Sequence, residues 1–260
     1  MVGAPRSMMN STNSLSYSKT LKRHRDVWER KPSVREAYQY LYGMIVENLS
    51  PLKPVVELGC GCGNLKEIIP GVLATDVVCT PWCDQLADAC QLPFKDSSIG
   101  NILLVDVLHH IENPVIALKE IARVLASGGR GLIVEPYLSL WSRFIYKHFH
   151  HESFDLDVDL FVSTDQNQSR LGDYSNLGTS NILFYRELER LGQFLGDGIR
   201  VLKRHPFSFL VYPLTGGFRS FCFIPSAFVQ KLSRFEDRLP KIIRERYTAM
   251  RVFLVLEKVR

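Results

Sequence analysis

No Cys-x-x-Cys pair occurs among the six cysteines of this 260-residue chain, so the spacing used by zinc ribbons and thioredoxin-like redox sites is missing. Cys60 and Cys62 sit between glycines, and Cys79, Cys83 and Cys90 are separated by three and six residues. A metal site is therefore not expected, and unpaired thiols fit a reducing, cytoplasmic compartment. No Gly-Lys-Ser/Thr closes a glycine-rich run, which excludes the phosphate-binding P-loop. No apolar stretch reads as a membrane span: the longest, at 207–229, is broken by Arg219, two prolines and two glycines. Residues 1–20 are polar and Ser/Asn-rich, without the apolar centre of a signal peptide. A basic catalytic face is also missing. Residues 1–35 hold eight Lys/Arg against two Asp/Glu, and the rest of the chain is near balance at 24 against 25. The net charge of +5 thus belongs to an N-terminal segment, expected to be a flexible, solvated basic arm over 1–30, the alternative being contact with an anionic membrane surface or an acidic substrate. Nucleic acid is not the expected substrate.

What is present is concentrated at residues 55–65, VVELGCGCGNL. Val55, Val56 and Leu58 have the β-branched and apolar character of a buried parallel strand, and Gly59, Gly61 and Gly63 let the backbone turn sharply beside a ligand. The dinucleotide fingerprint would place a third glycine at position 64, which is Asn64. Glu57, at the mouth of the turn, would repel phosphates but suits a ligand carrying an amine and ribose hydroxyls, such as S-adenosylmethionine.

Further elements follow in order. Residues 72–78 read as a second strand ending in Asp76, an acceptor suited to ribose hydroxyls, about 20 residues past the first. Residues 84–94 offer Asp88 followed by Ala89 at the end of a third strand, a carboxylate and a backbone N–H that match the edge of an adenine. Residues 101–111 and 130–136 read as the fourth and fifth strands. Between them Asn113 is placed as N-cap, Pro114 at the first helical position, and Gly128 with Gly129 as the stop. Ser33 and Glu36 read as a capping box before a helix carrying Val34, Ala37, Leu41, Ile45 and Leu49. Its Tyr38, Tyr40 and Tyr42 fit the core-and-surface mix of an ordinary amphipathic helix better than a substrate entrance. Residues 180–191 read as a helix, and 199–212 and 250–258 as the two final strands.

ELGCGCG at 57–63, TD at 75–76, DACQLPF at 88–94, VLHHIENP at 107–114 and GGRGLIVEP at 128–136 resemble, in this order, the class I S-adenosylmethionine-dependent methyltransferases, above all the group of the ubiquinone and menaquinone methyltransferases. The resemblance covers roughly residues 34–136. It implies an α/β, doubly wound, mostly parallel seven-stranded Rossmann-like sheet with an antiparallel last strand, forming a single domain over 31–260. It further implies that Glu57, Gly59, Cys60 and Gly61 line the methionine and ribose of S-adenosylmethionine, that Asp76 with Val77 holds the ribose, and that Asp88 with Ala89 holds the adenine. Val105 and Asp106 fall by the methionine amine. The product is S-adenosylhomocysteine.

One departure stands out. Only residues 77–83 separate Asp76 from the third strand, too few for a crossover helix. The adenine side must be closed otherwise, with Trp82 a candidate. This short link and GGFRSF at 216–221 are similar to bacterial methyltransferases of surface-polysaccharide or lipid pathways, which implies a small-molecule, lipid-linked or saccharide acceptor. Residues 137–200 are expected to form a lid or substrate-binding insertion. Methyl transfer needs alignment and dryness, and a base only if the acceptor must lose a proton. His109, His110 and His151 are the candidates for that base. Three other activities remain open: a nicotinamide oxidoreductase, disfavoured by Asn64; a cofactor-binding protein without transfer, acting as a partner subunit or a cyclase; and a protein or nucleic-acid methyltransferase, disfavoured by Asp106, Val107, Leu108 and His109 where an Asn/Asp-Pro-Pro-Phe/Tyr motif would stand.

Overall fold

The computed structural model describes residues 11–162 and 174–259. Strands β1 (Val55–Leu58), β2 (Leu73–Asp76), β3 (Gln85–Leu86), β4 (Ile99–Val105), β5 (Leu125–Pro136), β6 (Ile199–Phe207) and β7 (Arg251–Lys258) form one sheet of order β3-β2-β1-β4-β5-β7-β6. β1 to β5 pair in parallel, and β7 inserts antiparallel between β5 and β6. The seven-stranded, mostly parallel sheet and its antiparallel last strand are as the motif order implied.

Both faces are covered, which is why the central strands are buried along nearly their whole length and read as mostly apolar runs rather than alternating ones. One face packs Val56, Leu58, Ile102, Leu104 and Ile133 against helix α3 (Pro114–Val124) and the helical run of α5 (Thr179–Asn181), a π turn at Ile182–Arg186 and α6 (Leu188–Leu195). The other packs Val55, Leu103, Leu132 and Val134 against α1 (Ser11–Arg30) and α2 (Pro32–Asn48) through Trp28, Val34, Tyr38, Leu41, Tyr42 and Ile45. After β5 the chain forms α4 (Leu140–Phe149), and between β6 and β7 lie α7 (Val211–Thr215), α8 (Ser226–Asp237) and α9 (Lys241–Ile243).

Several local expectations are corrected. From Ser11 onward the basic arm is helix α1, because Leu21 and Trp28 have an apolar surface to bury on; residues 1–10 lie outside the described residues, as do 163–173 of the expected lid. α2 starts with Pro32 at its first turn and no side-chain cap. Ser33 is instead buried with its Oγ 3.0 Å from the Cys222 Sγ, and Glu36 accepts from Gln230 at 2.6 Å. The pull of the α8 side outweighs the local capping box. α3 ends at Val124, before Gly128 and Gly129, because Leu125 is already paired with Ile99. β6 stops at Phe207, and 211–215 turns into α7.

The first crossovers are unusually slight. β1 reaches β2 through a single 3-10 turn, Leu65–Glu67, and β2 reaches β3 without a helix. The short 77–83 link is pinned by the Asp84 carboxylate, which accepts from the Ala74 N–H at 2.9 Å and pairs with Lys66 at 2.7 Å. Trp82 lies directly on Gly63. A Cβ added there would come 2.6 Å from the Trp82 Cβ, at a φ of +73°. Gly63→Ala is therefore expected to cost at least about 2 kcal/mol, from left-handed backbone strain plus displacement of the indole, measured by urea unfolding. A cost under about 0.5 kcal/mol would mean that Trp82 is loosely held.

Candidate active site at the carboxyl edge of the sheet

The sequence-predicted cofactor residues converge on one rim. Strand order places the ends of β3, β2, β1 and β4 side by side, and with them Asp88 and Ala89, Asp76 and Val77, Glu57 through Gly61, and Val105 and Asp106. This is the edge where open α/β sheets keep their ligand crevice.

Glu57 is the most exceptional group on it. It is 5% exposed, and its Oε2 has no hydrogen-bond partner among the described residues. Burial, aided by the Asp76 carboxylate, pushes its carboxyl up to about 8. A buried acceptor of this kind is costly unless a donor arrives. Asp76, by contrast, is well provided. It accepts from the Gly61 N–H at 3.0 Å, from the Val78 N–H at 3.1 Å and from the Tyr17 hydroxyl of α1. Burial raises its carboxyl and these donors partly offset that. Two carboxylate oxygens offer about four lone-pair sites, so one more donor can join, or Tyr17 can give way to it. Cys60 is buried and its N–H is donated to the Thr75 carbonyl. Asp88 caps a turn by accepting from the Cys90 N–H at 2.8 Å, beside buried Ala89. Val77 is exposed at the mouth.

The chemistry of this rim suits S-adenosylmethionine. An orphaned buried carboxylate oxygen calls for a cationic amine, and glycines leave the turn open beside it. The slight first crossover matters too. A dinucleotide pyrophosphate rests on the N-terminus of a full helix, and a three-residue 3-10 turn supplies none.

The far side of the rim is a carboxylate-histidine assembly at the ends of β4 and β5. Glu135, fully buried, accepts from the backbone N–H groups of Val107, Leu108 and His109 and from the His109 Nδ1 at 2.6 Å. Burial works against the His109 imidazolium, but Glu135, Asp106 and Glu152 outweigh it and raise the ring's proton affinity. His110 is more open. Desolvation and the neighbouring His109 hold it below its ordinary range, which favours the neutral ring. His151, from the segment after α4, is largely exposed and, among the described residues, meets the site through Glu152, 3.8 Å away. Asp106 adopts φ +58° and turns its carboxylate to Arg251, with which it is ion-paired. It does not present a free carboxylate to the crevice.

Tyr17, Glu135 and Arg251 escaped the sequence reading. Glu135 carries the same signal that singled out Glu57, an acidic residue at the end of an apolar strand. Tyr17 lies in a polar stretch with no local signal, and Arg251 reads as the ordinary basic flank of a strand.

Comparison with known proteins agrees with this geometry. Residues 56–133 match the family described as "Methyltransferase domain". Demethylmenaquinone methyltransferase of Symbiobacterium thermophilum is 27% identical over 164 residues, 53% of this chain and 65% of that protein. "Probable tRNA methyltransferase 9B" of Mus musculus is 31% identical over 102 residues, 34% of this chain and 23% of that protein. The chain thus spans less than two thirds of either relative. Among solved structures, a SAM-dependent methyltransferase from Thermotoga maritima superposes with TM-score 0.53 at 16% identity, over 94% of this chain and 98% of that one. One from Archaeoglobus fulgidus gives 0.52 at 13% identity, over 86% and 94%. Residues 56–133 thus match a methyltransferase-domain family, and the sheet as a whole has the fold of the S-adenosylmethionine-dependent methyltransferases.

Proposed function

We propose that the chain transfers the methyl group of S-adenosylmethionine to a small-molecule, lipid-linked or saccharide acceptor and releases S-adenosylhomocysteine. The single observation that carries the cofactor assignment is the orphaned, buried Glu57 Oε2 beside the glycine turn. Glu57, Gly59, Cys60 and Gly61 would hold the methionine amine and ribose, Asp76 and Val77 the ribose hydroxyls, and Asp88 with the Ala89 N–H the adenine. Val105 and the backbone at Asp106 would border the amine. The cofactor supplies an already activated methyl, so the chain's own work is to align the acceptor, exclude water and take up a proton where one is released. Neutral His110, with Glu152 3.5 Å from its Nε2, is the residue best placed to take it. His109, fixed by Glu135, is better suited to positioning, and His151 reaches the site by way of Glu152.

An apolar or lipid-linked acceptor is supported by exposed aromatics at the same end of the molecule. Phe144 and Phe149 of α4 and Phe221 and Phe223 are exposed, and the Arg219 guanidinium donates to the Phe149 carbonyl, joining these two segments. No helix among the described residues is long and apolar enough to cross a membrane, so contact with a lipid surface would be peripheral. A nucleic-acid acceptor is the second reading. It is favoured by the tRNA methyltransferase relative and by the basic helix α1 lying over the glycine turn, where Leu21 packs 3.6 Å from the Gly61 Cβ position. The near-neutral charge of residues 36–260 favours the first.

Labelled methyl from S-adenosylmethionine, followed into lipid, saccharide and tRNA fractions, separates these acceptors. Label in tRNA alone would overturn the small-molecule assignment. In the same assay Asp76→Ala is expected to weaken cofactor binding by about 1 to 3 kcal/mol through loss of charge-assisted hydrogen bonds. Unchanged affinity would place the ribose elsewhere.

A further inference from the structure

We infer that His109, His110 and Glu152 form a binding site for one divalent first-row transition metal, at the carboxyl end of β4. The candidate ligand atoms, one from each residue, all lie within 4.8 Å of one another. The Glu152 carboxylate is 3.5 Å from the His110 Nε2 and 3.9 Å from the His109 Nε2. Donor atoms around a tetrahedral ion with bonds of 2.0–2.2 Å stand about 3.3 to 3.6 Å apart, so small side-chain adjustments close the set.

The tautomers are the decisive feature. The His109 Nδ1 faces Glu135 at 2.6 Å, and the His110 Nδ1 faces the Tyr174 carbonyl at 3.2 Å. Each oxygen can only accept, so each ring donates its Nδ1–H and presents its Nε2 toward Glu152, where that atom serves as a ligand once its proton is displaced. Both Nε2 atoms and the Glu152 carboxylate then converge on one point, a set that a metal ion binds in place of ring protons. Glu135 is held in turn by three backbone N–H groups. A braced carboxylate behind a histidine is the usual support of a metal ligand. Two nitrogens and one carboxylate suit zinc, cobalt, manganese or ferrous iron, and not magnesium or calcium, which prefer all-oxygen sites. His150 adds no ligand, because its Nδ1 accepts the Glu152 N–H at 3.2 Å. His109 is buried, Glu152 partly buried and His110 exposed, so a bound ion keeps a position open toward solvent. The cysteine spacing examined in the sequence could not reveal this set, since Glu152 comes from 42 residues beyond His110.

The site itself does not depend on the cofactor assignment; its use does. Taken with methyl transfer, the open position would hold an acceptor hydroxyl. With the ion bound, the His110 Nε2 is a ligand and no longer the base, so the hydroxyl proton leaves to solvent; the oxygen lone pair forms the new C–O bond, and the C–S bond breaks with its electron pair kept by sulfur.

The test uses the full chain, stripped with chelator and titrated with Co²⁺ and then Zn²⁺ without S-adenosylmethionine. One equivalent is expected, with visible cobalt bands lacking thiolate charge transfer. Glu152→Gln and His110→Ala should each weaken binding at least tenfold while circular dichroism stays that of the parent. Failure of the folded parent to bind either ion stoichiometrically would overturn the site. Binding unchanged in both variants would overturn it as well, assigning the metal to the cysteines. Because no cofactor is present, neither result bears on S-adenosylmethionine use.

Discussion

Arg251→Met is expected to lower folding stability by about 3 kcal/mol, the low end of the cost of breaking a buried ion pair from one side. Arg251 opens β7, where it pairs in register with Pro136 of β5 and Phe207 of β6. Its side chain is 7% exposed, ion-paired with Asp106, and packed over the rings of Tyr212 and Tyr38 at 5.3 and 5.7 Å. Burial alone would raise the Asp106 carboxyl, but Arg251, followed by His109 and His110, more than reverses this and lowers it. A carboxyl lowered on folding adds stability that is complete above its unfolded value of 3.8 and fades as the pH falls further. Without Arg251, Asp106 is left half-buried without its main counter-charge, only His109 and His110 still offsetting it. The deficit should therefore shrink at low pH, and adding Asp106→Asn to Arg251→Met should recover much of it. Urea unfolding followed by tryptophan fluorescence measures both. A loss below 1 kcal/mol would mean that the pair is a solvated surface bridge.

Glu57→Gln should act in opposite senses on stability and on binding. With its carboxyl raised from 4.5 to about 8, the folded chain holds a proton across that interval that the unfolded chain has released. Stability from this residue accordingly falls as the pH rises from 4.5 toward 8. The amide keeps the shape and removes the charge. The cofactor-free variant is expected to gain on the order of 2 kcal/mol at pH 8, several degrees of melting temperature, and nothing near pH 4.5. Affinity for S-adenosylmethionine should fall at least tenfold, since the charge that would pair with its cationic amine is gone and an amide N–H takes the place of one acceptor oxygen. A stabilised variant with unchanged affinity would make Glu57 a strained core residue and no part of the cofactor site.

Much of this arrangement is legible in the sequence because parallel strands buried on both faces write themselves as apolar runs, and their functional ends are marked by Glu57, Asp76 and Asp88. The order of those runs suffices to place β1 among its neighbours. Long-range partners leave no such mark. Ser33 and Glu36 satisfy a capping pattern locally, yet Cys222 and Gln230, 189 and 194 residues away, claim their side chains. The Arg251–Asp106 pair joins positions 145 apart. The seat of α1 over Gly61 depends on how Tyr17 meets Asp76, which no periodicity encodes. The histidines at 109 and 110 are visible as candidates, but their tautomers are decided by Glu135 and Tyr174, one at the end of the next strand and the other 64 residues on.

Calorimetric titration of the full chain with S-adenosylmethionine and S-adenosylhomocysteine, with NADH as control, tests the central claim most directly. Binding of the first two at micromolar concentrations and none of NADH is the expected result. NADH binding in their place, or no binding of either sulfur ligand to the folded chain, would contradict it.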